Sequence, residues 1–379
     1  MHVVLVVPGG FDPGGHERVI PALLWLAEGL ARDHRVTVVA LGQDDRRDRF
    51  ELVGATVRTV PAEARGPHRL ARMVARGVLE VGAEGPPDVV HGFWASVTGL
   101  VAVLAARRHR VPGLVHVAGG ELVALPDIAY GGALGRGGPL IAAALLRRTD
   151  HVTAASAWMA GQVRAAGHRV DAVVPLGVDT ARFAPPATPS DRAGTGVRLV
   201  HVGSLNGVKD QATLLRAFAL VHLARPDASL DLAGVDTMAG AHRRLADDLG
   251  VGDSVRFHGF VPSDRLGELV GSADLHVLSS RHDAGPVAVL EAAACGVPTV
   301  GTAVGHVADL AAPVDGPPGA VSVPVGDAAA LARAVLDVAA DPRRRQALAG
   351  VARSFALAND RHATVARFAA SYAQLRASH

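Results

Sequence analysis

Two carboxylates lie on either side of a predicted helix start in the segment 279–298, S-S-R-H-D-A-G-P-V-A-V-L-E-A-A-A-C-G-V-P. Asp283 lies just before Gly285 and Pro286. Glu291 lies further along, in the Ala-rich run that begins at Val287. A helix N-terminus offers free backbone N–H groups and a partial positive charge, which suit a phosphate or sugar hydroxyls. Gly285 lets a ligand approach the backbone, and Pro286 begins the helix without wasting a donor. We therefore expect both carboxylates to hold one polyhydroxylated ligand. The alternative is an ordinary strand-to-helix turn with a solvent-exposed Glu291.

A lysine follows a second glycine-containing turn, in the segment 202–210, V-G-S-L-N-G-V-K-D. Lys209 lies just ahead of a predicted helix, where its ammonium group can meet a phosphate as a point charge. It is the only lysine in a chain that otherwise uses arginine. A solvated lysine is the alternative, but the strong preference for arginine elsewhere favours a specific role for this residue.

Apolar runs and helical stretches alternate along the chain, so these turns connect strands to helices. Most predicted strands are continuous runs of Val, Leu and Ala, which is typical of parallel strands covered on both faces. The predicted strands are residues 2–7, 35–41, 55–60, 88–93, 114–118, 152–155, 172–176, 198–202, 229–232, 255–258, 274–278, 298–300 and 320–323. The predicted helices are residues 17–30, 69–81, 98–108, 211–224, 241–249, 265–270, 287–294, 328–338, 342–356 and 363–376.

The fold class that follows is α/β, with two doubly wound, Rossmann-like domains facing across a cleft. We expect an N-terminal domain over residues 1–177 and a C-terminal domain over 197–356. The Pro- and Gly-rich stretch 178–196 is predicted to be the linker between them. Residues 357–379 are predicted as a C-terminal helix that packs back toward the first domain. Ligands of such sheets bind outside the carboxyl ends of the strands.

The first domain opens with a strand and a glycine-rich turn, P-G-G-F-D-P-G-G, which ends at Gly14 and Gly15. This turn is not G-x-G-x-x-G, so a dinucleotide site is poorly supported, and a plain tight turn remains the alternative. Its N–H groups could instead cover a diphosphate. The segments H-G-F-W (91–94) and A-G-G-E-L (118–122) lie at the ends of predicted strands and would line the first domain's side of the cleft. In the second domain, the strand end His258–Phe260 could hold a nucleobase, although a buried strand end is equally consistent.

Composition excludes several classes of function. With a net charge of +2, nothing global demands nucleic acid. No apolar run reaches the roughly 20 residues that span a bilayer, and the apolar N-terminus is predicted as a strand rather than a signal peptide. The single Cys295 excludes an internal disulfide and fits a cytoplasmic location. The histidines lack a metal-ligand spacing, and no G-x-S-x-G elbow of a serine hydrolase occurs. A solvated face is favoured for Arg69, Arg72 and Arg76 over a membrane-surface patch.

Taken together, these motifs resemble the retaining GT-B glycosyltransferases of family four, the glycosyl transferases group 1. V-G-x-L-x-x-x-K at 202–209 and the paired acids at 283 and 291 are similar to the family's donor-binding motifs. G-V-D-x-x-x-F at 177–183 is similar to its domain-crossing segment, and P-G-G…G-G-x-E-R-V to its glycine-rich loop. The resemblance spans nearly the whole chain in the right order.

The resemblance implies transfer of a sugar from a nucleoside diphosphate to a hydroxyl-bearing acceptor, with retained anomeric configuration and no required metal or other cofactor. Lys209 and Asp283 would carry the catalytic roles, on the diphosphate and on the donor-sugar hydroxyls. Glu291 would bind the ribose. The other implied donor contacts are Gly14, Gly15, Ser204, His258, Gly259, Phe260, Gly285, Pro286 and Val287. The expected acceptor contacts are His91, Trp94, Gly119, Gly120 and Glu121.

Three departures from the family pattern concern the site. Asp283 stands where the family has glutamate, which shortens the side chain by one methylene. Ser204 replaces the arginine of V-G-R-L, and Ala118 replaces the histidine of H-G-x-[DE]. His16, His91 or Glu121 are the candidates to substitute for that histidine. A sugar-nucleotide epimerase or hydrolase of the same fold, and a non-catalytic sugar-nucleotide-binding protein, remain the alternative functions.

Overall fold

The computed structural model describes residues 1–15, 18–62, 68–135, 137–186 and 196–379. They divide into two compact units. Unit 1 comprises Met1–Leu176 and Arg361–His379, and unit 2 comprises Gly177–Asp360. The predicted helix start at Glu17 and residues 187–195 of the predicted linker lie outside the described residues.

Unit 1 is built around a sheet whose central strands are continuously apolar. Its strands are β1 (His2–Val7), β2 (Arg35–Leu41), β3 (Arg49–Leu52), β4 (Ala55–Val60), β5 (Val89–Phe93), β6 (Gly113–Val117), β7 (His151–Ala154) and β8 (Ala172–Val173). Its helices are α1 (Pro21–Leu30), α2 (Arg69–Val81), α3 (Val97–His109), α4 (Gly138–Arg148), α5 (Ala157–Ala165) and the C-terminal α13 (Arg361–Ser378). The strand order is β3-β4-β2-β1-β5-β6-β7-β8. Among these described strands, β3 and β4 pair antiparallel and the other neighbours pair parallel.

Unit 2 repeats the pattern with six parallel strands. These are β9 (Arg198–Val202), β10 (Ser229–Ala233), β11 (Val255–Gly259), β12 (Leu275–Leu278), β13 (Thr299–Thr302) and β14 (Ala320–Val323). Its helices are α6 (Gln211–Ala224), α7 (Ala241–Asp248), α8 (Ser263–Gly271), α9 (Val287–Ala294), α10 (Gly305–Ala311), α11 (Ala328–Ala340) and α12 (Pro342–Ala358). The order β11-β10-β9-β12-β13-β14 reverses direction between β9 and β12. In a doubly wound sheet, ligands bind at such a reversal, outside the carboxyl ends of the strands.

The structure corrects the predicted organisation at three places. Residues 178–186, predicted as linker, belong to unit 2, where Phe183 is fully buried and Val178 pairs with Asp360. The C-terminal helix begins at Arg361, so residues 357–360 also belong to unit 2. The sequence prediction missed the edge strand β3 and the short helix α10. Helix α1 begins at Pro21, later than predicted, because residues 18–20 are not helical.

Candidate functional site

The loop between β9 and α6 presents Lys209. Its backbone N–H donates to Asn206 Oδ1 at 3.0 Å, and its carbonyl accepts from Ser279 Oγ at 2.8 Å. The next residue, Asp210, has a left-handed backbone with φ of +50° and caps α6 by accepting from the Thr213 amide. A left-handed aspartate is strained, and such strain is concentrated at functional sites. The main chain is therefore fixed on both sides of Lys209, while its long side chain is left to reach a ligand.

The loop between β12 and α9 meets the loop that carries Lys209, residues 203–210, which we call the lysine loop. The two loops meet at the reversal point of the sheet. The Arg281 amide donates to Val208 O at 2.8 Å, which adds to the bond from Ser279. Lys209 Nζ forms an ion pair with the carboxylate of Asp283, and the two side chains are 24% and 15% exposed. The structure thus brings together the two residues predicted as catalytic, half-buried and open to solvent.

Helix α9 begins directly after this loop, at Val287, with Pro286 as its N-cap residue. Pro286 was expected to be the first residue of this helix, but it lies one position earlier, as the N-cap. Gly285, Pro286 and Val287 form the backbone of the helix start, and Gly305 packs beneath it. A Cβ at Gly305 would lie 2.6 Å from both the Asp283 carbonyl oxygen and Pro286 Cδ. The predicted turn and helix start are present and are supported by close backbone packing, and anion binding at this turn stays a prediction.

Glu291 lies in the interior of α9 and is 8% exposed. Among the residues that the structure describes, none forms a hydrogen bond or an ion pair with its carboxylate. Burial raises the pKa of the Glu291 carboxyl to about 7, because desolvation penalises the charged form. The alternative of a solvent-exposed Glu291 is therefore wrong. A buried carboxylate without a partner is a natural acceptor for ligand hydroxyls, and the ribose contact stays a prediction.

The end of β11 carries the three residues predicted to hold a nucleobase. His258 Nε2 bonds Asp231 Oδ1 at 2.7 Å, and Asp231 is buried in the neighbouring strand β10. Gly259 has φ of +65°, and its carbonyl accepts from the Gly234 amide. Phe260 is 56% exposed. The strand end is therefore fixed by a buried acid and presents an exposed aromatic ring.

In unit 1, two of the predicted contacts are not available to a ligand. His91 is fully buried, and its Nδ1 lies 2.7 Å from the Tyr372 hydroxyl of α13. Burial lowers the His91 pKa well below its usual value. Glu121 is also buried, and its carboxylate accepts from the amides of Ala95 and Gly119 at 3.0 and 2.8 Å. The acceptor-binding roles predicted for His91 and Glu121 are replaced by structural ones, and neither is placed to substitute for the missing family histidine.

The hydrogen bonds of Glu121 join the loops that follow β5 and β6. Trp94, which has φ of +70°, packs so closely that a Cβ on Gly119 would lie 2.4 Å from its ring. Gly120 lies in the same way against the Tyr130 ring. The structure therefore gathers Trp94, Gly119 and Gly120 at one edge of the sheet of unit 1, and their contact with an acceptor stays a prediction.

The glycine-rich loop after β1 differs from the expectation in its hydrogen bonds. The Gly14 and Gly15 amides donate to Asp12, to its carboxylate at 3.2 Å and its carbonyl at 2.8 Å. Arg18 pairs with the same carboxylate at 2.7 Å. These amides are thus occupied by the loop itself and are not free to cover a diphosphate. His16 lies outside the described residues.

Ser204, which replaces the family arginine, lies at the start of the lysine loop and is exposed. Four polar residues that order the site were not predicted: Asn206, Gln211, Asp231 and Ser279. Gln211 and Ser279 are fully buried, and a polar residue at a core position was the available signal.

Within the described ranges, no three His, Cys, Asp or Glu side chains are grouped to hold a metal ion. None of the helices described is both long and apolar enough to cross a membrane.

Comparison with known proteins places both units in one family. Residues 14–177 match the model of a glycosyl transferase 4-like domain, and residues 189–355 match that of the glycosyl transferases group 1. The D-inositol 3-phosphate glycosyltransferase of Kribbella flavida is 31% identical over 90% of this chain and 86% of its own. A GDP-mannose-dependent alpha-(1-6)-phosphatidylinositol monomannoside mannosyltransferase of Mycolicibacterium smegmatis is 35% identical over 49% of this chain. The match covers 51% of that mannosyltransferase, about half of its length.

Solved structures share the fold over the full length. A sucrose-phosphate synthase from Thermosynechococcus elongatus superposes with a TM-score of 0.81 at 20% identity and covers 100% of both chains. The Anabaena protein HepE in complex with UDP-glucose superposes with a TM-score of 0.75 at 20% identity, over 99% of this chain and 100% of HepE. The predicted fold and family are confirmed: the chain belongs to the group 1 glycosyltransferases and has the GT-B fold of two Rossmann-like domains.

Proposed function

We propose that this chain is a retaining glycosyltransferase that moves a hexose-type sugar from a UDP- or GDP-sugar to a hydroxyl of a small-molecule or lipid-linked acceptor. The observation that carries the proposal is the placement of Lys209 and Asp283 at the reversal point of the sheet in unit 2, beside the start of α9. A diphosphate there would meet an ammonium group and a helix N-terminus, and a sugar would meet a carboxylate. Family membership supports the same assignment.

In this mechanism the protein binds the leaving group rather than attacking the sugar. The acceptor oxygen forms a bond to the anomeric carbon while the bond from that carbon to the phosphate oxygen breaks. The electron pair leaves with the diphosphate, whose charge Lys209 and the backbone N–H groups at the start of α9 stabilise. The acceptor proton passes to a phosphate oxygen on the same face. Asp283 and Glu291 hold the sugar and the ribose in position.

Asp283 would change partner when the donor binds. In the structure it is ion-paired with Lys209. A diphosphate would compete for that ammonium group, and the freed carboxylate would then accept hydrogen bonds from sugar hydroxyls. We propose that these groups supply the charge that the leaving group needs, so that the reaction requires no metal. Transfer is expected to proceed unchanged in excess EDTA, and loss of activity that Mg²⁺ restores would contradict this.

The names of the relatives suggest which donors and acceptors to test first. GDP-mannose appears in the name of one relative and D-inositol 3-phosphate in that of another. Purified protein is screened by thermal shift with UDP-, GDP- and dTDP-sugars, and stabilising donors are then incubated with inositol phosphates and phosphatidylinositol lipids. Mass spectrometry of the products and NMR of the new anomeric centre measure transfer and stereochemistry. No stabilisation by any nucleotide sugar would refute the proposal.

The same experiment separates the alternative functions. Donor turnover without an acceptor would indicate an epimerase or hydrolase. Tight binding without turnover under any acceptor would indicate a binding protein, an alternative that the absence of the family arginine and histidine at Ser204 and Ala118 keeps open. Both alternatives predict donor binding, so only the acceptor-dependent product distinguishes the transferase.

A further inference from the structure

A buried side chain beneath the lysine loop has no part in the proposed chemistry. Gln211 is the first residue of α6 and is fully buried. Glutamine is rarely found fully buried, and its amide must be hydrogen-bonded to offset the loss of water. Its location, two residues after Lys209, raises the question of what its amide holds.

The amide of Gln211 holds the lysine loop at two points. Its Nε2 donates to the Ser204 carbonyl at 3.0 Å, and its Oε1 accepts from the Asn206 amide at 3.1 Å. Asn206 in turn accepts, through Oδ1, the hydrogen bond from the Lys209 amide. A continuous set of hydrogen bonds therefore runs from the Gln211 side chain to the backbone of Lys209.

A fully buried histidine fixes which way the Gln211 amide faces. His201 Nδ1 lies 2.9 Å from the Val277 carbonyl, to which it can only donate. The other ring nitrogen of a neutral imidazole is then an acceptor, and Gln211 Nε2 lies 3.0 Å from it. Burial lowers the His201 pKa to about 4, so the neutral ring persists near pH 7. The carbonyl of β12 thereby sets the tautomer of His201, and His201 sets the orientation of the amide.

The backbone between Lys209 and Gln211 explains why such support is needed. Asp210 adopts a left-handed conformation that costs a non-glycine residue free energy. Ser279 Oγ holds the Lys209 carbonyl from the other side. The main chain of Lys209 is thus held from α6 and from the β12–α9 loop, while only its side chain is left to move between Asp283 and a phosphate.

We infer that Gln211 is a positioning residue, which holds Ser204 and Asn206 so that Lys209 reaches the diphosphate of the donor. This inference rests on the proposed role of Lys209. If Gln211 acted only on stability, its loss would weaken all ligand binding or none. As a positioning residue, its loss weakens the contact to the diphosphate and spares the nucleoside.

The test compares Gln211→Met with Val221→Ala. Methionine keeps the length and volume of the glutamine side chain and removes its hydrogen bonds. Val221 is a buried core residue near the other end of α6, and its truncation lowers stability without touching the loop. Calorimetry measures the Kd of UDP, GDP, uridine and guanosine for the wild-type protein and each variant, and thermal unfolding without ligand measures the Tm.

Gln211→Met is expected to weaken binding of the preferred nucleoside diphosphate at least about tenfold while changing nucleoside binding less than about twofold. Val221→Ala is expected to bind both as the wild type does, whatever its Tm. The inference would be overturned if Gln211→Met bound the diphosphate with an affinity within about twofold of the wild type while Lys209→Ala bound it more weakly. That result would leave the proposed function intact. Equal binding by wild type and Lys209→Ala would overturn both.

If Gln211→Met does not fold, Asn206→Ala tests the same chain of hydrogen bonds at its partly exposed end. The expected result is again selective loss of diphosphate affinity. An unchanged Kd in Asn206→Ala would overturn the inference.

Discussion

At the scale of single residues, the candidate site combines a charged pair with a buried acid. The charges of Lys209 and Asp283 neutralise each other in an ion pair that is partly exposed to solvent. Glu291 has no such partner recorded among the described residues, and burial raises its pKa to about 7. Near neutral pH this carboxyl is therefore divided between its two forms. A ligand hydroxyl that donates to it would favour the charged form.

Glu291→Gln should stabilise the protein most at high pH. Because the folded-state pKa lies above the unfolded value, wild-type stability falls as pH rises from about 4.5 to 7 and then levels off. At pH 8 the variant should gain at most about 3 kcal/mol in free energy of unfolding, at about 1.4 kcal/mol per pH unit. Near pH 4.5 the two proteins should be equally stable. Urea denaturation at both pH values measures this.

The same substitution tests the ribose assignment. Nucleotide affinity of the wild type should rise between pH 6 and 8, because binding favours the deprotonated carboxylate. In Glu291→Gln the affinity should be lower and nearly independent of pH over this range. A wild-type pH profile that the variant reproduces would contradict a ribose contact.

At the scale of elements, the site depends on how closely two loops of unit 2 approach each other. Gly305 begins α10 with φ of +48° and lies directly against the Asp283–Pro286 backbone. Only glycine meets both demands, because any Cβ would be strained in backbone conformation and would overlap the loop. The position of Asp283 is therefore set in part by a residue on the next strand-to-helix connection.

Gly305→Ala should destabilise the protein by about 2–4 kcal/mol and weaken nucleotide binding, because the loop must move to admit the methyl group. Gly350→Ala is the matched control. Gly350 lies inside α12, and a Cβ there would meet nothing within 4 Å. The control should gain up to about 1 kcal/mol. Equal stabilities of the two variants in chemical denaturation would refute the packing argument.

The elements themselves were largely predictable from residue patterns. The limits of β1, β2, α2, α6, α9 and β14 agree with those predicted. The edge strand β3 was missed because R-F-E-L is short and half exposed. Helix α10 was missed because it has seven residues and starts at a glycine, so its apolar residues show little helical periodicity. Residues 178–186 were assigned to the linker because Pro185 and Pro186 outweighed the buried Phe183.

At the scale of the whole molecule, the last helix completes the first unit. Arg361 pairs with Glu28 of α1 at 3.2 Å, and Phe368 and Tyr372 are fully buried. The side chain of His91, in the centre of unit 1, is hydrogen-bonded to Tyr372, which lies 281 positions away in sequence. Unit 1 is therefore closed by residues from both ends of the chain.

Tyr372→Phe should lower the stability of unit 1 by about 1–3 kcal/mol, because His91 Nδ1 would lose its buried partner. Amide hydrogen exchange should quicken in β5 and α13. Exchange in β9 and β12, which belong to unit 2, provides the internal control and should not change. Unaltered exchange throughout would show that the His91–Tyr372 bond contributes little.

The long-range contact between His91 and Tyr372 also shows which kinds of residue role the sequence pattern does not reveal. Lys209 and Asp283 stand out by residue type and by their location in turns. His91 occupies a similar strand end, but its partner lies on a helix that no local pattern connects with it. Glu121 accepts hydrogen bonds from backbone amides, and Gln211 bonds mainly to backbone groups. Roles that depend on backbone partners leave no spacing of side chains to recognise.

The most direct test of the proposed donor site uses the fact that Lys209 is the only lysine. An amine-acylating reagent can then modify only Lys209 and the N-terminal amine, and mass spectrometry measures the labelling of each. A UDP- or GDP-sugar is predicted to slow labelling of Lys209 severalfold while the N-terminal amine reacts as before. Unchanged labelling of Lys209 at a donor concentration that saturates binding would contradict the account.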